Sequence, residues 1–125
     1  MDSWAEIVKG NDFTAHASAS ERSILVRLTG TADLTVKSHL DGFLREVHTE
    51  AQRRLAEVVT VDVRQLDFIN SSCLKGFVWW ISTVREQPGG GRYRIVFLSS
   101  PSKPWQRRSL SSLACIASDI ITVQA

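Results

Sequence analysis

Cysteine is scarce in this chain. Only Cys73 and Cys115 occur in 125 residues, at no metal-ligand spacing and with no Cys/His cluster of the kind that holds zinc. The start, "MDSWAEIVKG", carries acids where a secretory signal carries positive charge, and no apolar core follows. Both thiols are therefore expected to be reduced, in a cytoplasmic protein. Long apolar runs are missing as well. The longest cluster, Phe77-Val78-Trp79-Trp80-Ile81, falls far short of the ~18 residues of a membrane span, so no membrane partner is expected. Nor does charge of one sign accumulate. The net charge is +2, and the basic residues are scattered apart from Arg53-Arg54 and Arg107-Arg108, which read as solvated helix surface. A nucleic-acid binder concentrates Lys and Arg on one face, so none is expected here.

Motifs that carry chemistry are equally thin. Neither Gly-x4-Gly-Lys-Ser/Thr nor Gly-x-Gly-x-x-Gly occurs. Gly89-Gly90-Gly91 precedes a strand rather than a helix, which makes it a turn. Asp62 and Asp67 are the one carboxylate pair to consider, and nothing in their spacing forces the convergence that acid–base work needs. His39 and His48 stand nine positions apart, about 180° around a helix at ~100° per residue, so they cannot share a metal. Both read as solvated or half-buried. A serine-hydrolase elbow at Ser71 would need glycine where Ile69 and Cys73 stand. No metal, cofactor or catalytic residue is expected.

What is present is a core. Hydrophobic residues make up 43% of the chain, enough for one compact domain spanning 1–125, with 1–11 as a loosely held N-terminal segment tied down by Trp4, Ile7 and Val8. Phe13 to Ala17 and Ile24 to Leu28 read as a hairpin across "SASER". "TGTAD" then punctuates the chain, with Thr31 or Asp33 as a cap. Val36, Leu40, Phe43, Leu44, Val47, Ala51 and Leu55 share one helix face. Gly42 inside that helix costs roughly 1 kcal/mol against alanine, which predicts close packing there. Val58 to Val63 is β-branched and nearly continuous, as in a strand buried on both faces. A second helix is expected over about Ser72 to Glu86, a strand at Tyr93 to Leu98, a third helix from Pro104 and a last strand at Ile120 to Val123. The order β-β-α-β-α-β-α-β implies an α/β layer structure, a mixed sheet of about five strands with helices packed against it.

The stretch "DFINSSCLKGF", Asp67 to Phe77, holds Ser71 and Ser72 where a buried strand meets a helix. One hydroxyl could accept a hydrogen bond from an unpaired N–H of the first turn. A phosphate there would instead bring roughly −1.5 to −2 charges to the positive end of a helix, which stabilises an anion by about 0.3–1 kcal/mol. Cys73 reads as a small core residue or, at a helix N-terminus, as an activated thiol. Trp79 projects roughly 170° from the apolar face of the second helix at ~100° per residue. It is either a partner contact or is covered by a terminal segment around Trp4.

The blocks "ILVRLTGTADL", "VVTVDVRQLDFINSSCLKGF" and "GGGRYRIVFLSSPS" resemble the STAS domain (sulphate transporter and anti-sigma factor antagonist), from about Ile24 to Val123. Members typically carry Asp-Ser-Ser-Gly-Leu opening a helix. In the bacterial antagonists, the first Ser is phosphorylated by an anti-sigma factor kinase, which releases the partner, and a serine phosphatase reverses it. The resemblance implies Ser71 as phosphoacceptor, with Ser72 second, and Asn70, Cys73, Lys75 and Trp79 as partner-binding positions. Asn70 stands where the motif has Asp, and Cys73 where it has Gly. The implied function is a non-enzymatic, phosphorylation-controlled binding switch in partner-switching signalling and transcription regulation, as a monomer or weak dimer. The alternatives are an unphosphorylated scaffold or ligand-binding module, and a STAS-like regulator of a diguanylate cyclase, to which "NSSCLK" is also similar.

Overall fold

A computed structural model describes residues 2–9, 12–88 and 91–125. Six strands form one sheet: β1 (Asp2–Lys9), β2 (Phe13–Ser20), β3 (Ser23–Ala32), β4 (Val58–Ile69), β5 (Arg94–Leu98) and β6 (Ile121–Gln124). Three helices connect them: α1 (Lys37–Arg53), α2 (Ser71–Arg85) and α3 (Pro104–Ile116). The spatial order of the strands is their chain order, antiparallel from β1 to β3 and parallel from β3 to β6. Every helical crossover thus steps the same way across the sheet. Right-handed connections then put all three helices on one face.

Strand alternation agrees with that arrangement. Ile24, Val59, Ile95 and Ile121 stand in one cross-strand row and Val26, Val61 and Phe97 in the next, all buried. On β2 the inward positions are Ala15, Ala17 and Ala19, a thin floor beneath α1. The helix contributes Leu40, Phe43, Leu44, Val47 and Ala51, whereas Leu55, expected on the same face, lies beyond the end of α1 and is exposed. The buried residues join a single apolar core cluster.

Three further sequence expectations need correction. Residues 2–9 are not a loose segment but the edge strand β1, so the sheet has six strands rather than five. The segment carries little β-branched character, and its pairing with β2, not its own propensity, makes it a strand. Gly42 is not tightly packed: a Cβ there would meet nothing within 4 Å, whereas at Gly76 it would come 2.5 Å from Asp41 Oδ1. His48 is neither solvated nor half-buried. It is buried, and its Nδ1 lies 2.8 Å from the Tyr93 hydroxyl, which also accepts from Trp80 Nε1 at 2.7 Å. Of the expected turn at Gly89-Gly90-Gly91, the first two glycines lie outside the described residues.

β4 also runs six residues past the expected Val63, paired with β3 as far as Ile69, and two irregularities in that pairing each insert one residue on β4. They shift the inward parity from Val61 and Val63 to Leu66 and then to Ile69. Without the second insertion, Phe68 would share the inward side of Leu66. With it, Phe68 faces out and is 49% exposed.

Candidate functional site

The end of β4 and the start of α2 come together beside the loop that follows β3. Asn70 N–H donates to the Ala32 carbonyl at 2.9 Å, and the Cys73 thiol donates to the Asp33 carbonyl at 3.3 Å. The expected serine cap is not used. Asn70 is the N-cap: its side-chain Oδ1 accepts from Cys73 N–H at 2.8 Å. Ser71 is the first residue of the helix, exposed, and its hydroxyl makes no hydrogen bond among the described residues. Ser72 is half-buried.

Cys73 is fully buried in the core. Burial, with the nearby Asp41 carboxylate, pushes its thiol pKa up, so the protonated form dominates and the helix N-terminus does not activate it. The small side chain and its bond to Asp33 tie α2 to the loop before α1.

Along α2, Ser71, Lys75 and Trp79 repeat at four-residue intervals and form one exposed ridge. A second ridge on α1 carries Lys37, Asp41 and Arg45 at the same interval. Lys37 Nζ bonds Asp41 Oδ2 at 2.7 Å, and the Arg45 guanidinium lies 5.5 Å from the centre of the Trp79 ring. Between the ridges is a notch of about 210 Å³ floored by Gly76. Trp79 remains 42% exposed, with Arg45 rather than Trp4 against it. Trp4 is half-buried against the core and lines a separate shallow cleft with Arg45, Glu46, Thr49 and Glu50.

Two apolar residues frame the same end and were not foreseen as site residues. Leu34, in a 3-10 turn (Leu34–Val36) capped by Asp33, is 66% exposed, and Phe68 stands on the neighbouring strand end. The signal for Leu34 was its place between the cap and the first periodic residue of α1. Phe68 had no such signal, because an inserted strand residue leaves no periodic trace. The other candidate groups are dispersed. Asp62 is buried and held by Arg64 through two side-chain bonds, with Arg27 at 3.6 Å, and these cations keep its carboxyl below the usual range. Asp67 instead meets Lys103 at 2.7 Å. His39 is exposed, Cys115 is exposed on α3, and no group of three metal-binding side chains gathers among the described residues.

Chemically, then, this end of α2 offers an unengaged hydroxyl, cations of two helices and bare apolar side chains, with no base hydrogen-bonded to Ser71 among the described residues. No protein-family model matches the sequence, and no curated protein matches it. Among solved structures the fold is similar to an anti-sigma factor antagonist from Mycobacterium paratuberculosis, with a TM-score of 0.65 and 12% identity, covering 94% of this chain and 90% of that chain. The architecture is therefore that of a STAS-like α/β domain. No helix among the described residues is long and apolar enough to cross a membrane.

Proposed function

We propose that this protein is a non-enzymatic binding switch of the anti-sigma factor antagonist type, acting in partner switching with Ser71 as its phosphoacceptor. The observation that carries the reading is the division of labour at the helix start. Asn70 closes the N-terminus, so the adjacent Ser71 hydroxyl is exposed and structurally idle. A kinase would transfer the γ-phosphoryl of ATP to Ser71 Oγ, releasing ADP, with the hydroxyl proton passing to the kinase's base. The product anion sits at the positive end of α2, one turn before Lys75. Asn70 adds no negative charge beside it, unlike the Asp of the related motif, so the helix tolerates the phosphate. What changes is the surface: a partner seated on Leu34, Phe68 and the α2 ridge meets two negative charges where it met a hydroxyl. A serine phosphatase restores the hydroxyl.

The test is incubation with an anti-sigma factor kinase of the same genome and ATP, followed by mapping of the phosphate by mass spectrometry. Phosphate at Ser71, absent from Ser71→Ala, is the expected result. Phosphate at Ser72 moves the switch by one residue. Absence from both serines leaves an unmodified binding module and sinks the phosphorylation reading.

A further inference from the structure

We infer that the notch between α1 and α2 receives a carboxylate side chain from an acidic segment of the partner protein. The inference rests on reading this end of α2 as a partner-binding surface, and not on phosphorylation of Ser71. Its walls carry three cations, Lys37, Arg45 and Lys75, against one carboxylate, Asp41. That carboxylate is already engaged by Lys37 at 2.7 Å. Lys75 is exposed and makes no ion pair among the described residues, and Arg45 is held only against the Trp79 ring. The notch therefore presents uncompensated positive charge to anything entering it.

Size narrows the occupant. A volume of about 210 Å³ is below the ~300–1,000 Å³ of small-molecule sites, and suits an Asp or Glu side chain with its backbone. The floor is closed: Asp41 Oδ1 is buried against Gly76, where a Cβ would come within 2.5 Å of it, and has no hydrogen-bond partner among the described residues. A peptide carboxylate entering the notch meets Lys75 and Arg45 in charge-assisted hydrogen bonds. The exposed part of the Trp79 ring offers the flanking residue an apolar wall.

The experiment is a two-dimensional amide NMR titration of the full unphosphorylated chain. The probes are end-capped eight-residue peptides of alternating glutamate and leucine, with glutamine–leucine and lysine–leucine controls. The glutamate peptide is expected to shift the Gly76 amide and the Trp79 indole signal, the latter assigned by its loss in Trp79→Phe. The glutamine and lysine peptides should bind at least tenfold more weakly. Lys75→Glu with Arg45→Glu should reduce binding of the glutamate peptide at least tenfold, with the rest of the spectrum showing the fold intact. Ser71→Ala should bind it as the native chain does, which separates this result from the phosphorylation test. Equal response to the glutamine peptide, shifts confined to other surfaces, or no shift would overturn the inference. So would inorganic phosphate or acetate moving the same signals as strongly at equal concentration, which would make the notch a small-anion site.

Discussion

In its second half, α2 is fixed by contacts that leave nothing over. Trp80 is fully buried, its indole N–H is given to Tyr93, and the Tyr93 hydroxyl in turn meets His48 of α1. The rings of Phe77, Trp80, Tyr93 and His48 pack in tilted pairs around that chain of bonds. At the other end of the same helix, the side chains of Ser71 and Lys75 are bare, and Leu34 in its 3-10 turn and Phe68 at the end of β4 stand exposed beside them. One end of the helix commits its side chains to packing, and the other leaves them exposed. Buried satisfied groups are costly to alter, whereas exposed unengaged ones change with little effect on folding.

That contrast is broken most severely by Trp80→Ala, which should cost about 3–5 kcal/mol of unfolding free energy in urea titrations. Next comes Tyr93→Phe. It strands the Trp80 donor and the His48 ring nitrogen, and about 1–3 kcal/mol should be lost. The same network sets a pH dependence. Trp80 can only donate, and the Tyr93 hydroxyl meets His48 Nδ1 as donor or acceptor according to the imidazole tautomer. Burial holds the His48 pKa below its ordinary 6.5. The unfolded chain therefore binds a proton that the folded chain refuses, and stability is full above pH ~6.5 and falls as pH drops towards the folded pKa. The fall in urea midpoint between pH 7.5 and 5.5 should be smaller in His48→Gln than in the native chain. An unchanged fall would remove His48 as its cause.

At the other end the expected effects shrink. Asn70→Ala removes the cap and should cost about 0.5–2 kcal/mol, with loss of helical signal confined to the first turn of α2. Ser71→Ala and Trp79→Ala should each shift the melting temperature by no more than a few degrees, about 0.5 kcal/mol for the serine, while Trp79→Ala weakens partner binding. A large loss of stability in either would show that the bare end is structural after all.

The helices and central strands were legible because hydrophobic period and β-branching state them directly, as in the Leu40, Phe43, Leu44, Val47 face and in Val58 to Val63. The junction at Ser71 was legible from its turn from strand to helix pattern, and the role proposed for it comes from family resemblance alone. Three things were not. β1 is a strand by virtue of its neighbour, which no local pattern announces. The exposure of Phe68 follows from inserted residues in β4 that only the pairing with β3 reveals. The cap fell to Asn70 rather than to a serine because Asn and Ser both suit that position, and only backbone geometry places the boundary.

The chain-order arrangement of the strands also has a consequence for how the molecule comes into being. Each seam of the sheet joins a strand to the one made just before it, so no strand waits for a partner far down the sequence. During synthesis from the N-terminus, the β3–β4 seam that sets Phe68 and Asn70 can close before β5 exists. Tyr93, which lies just ahead of β5, arrives later and locks Trp80. The surface end of α2 is thus laid out first, and the anchor that makes the helix permanent is set last.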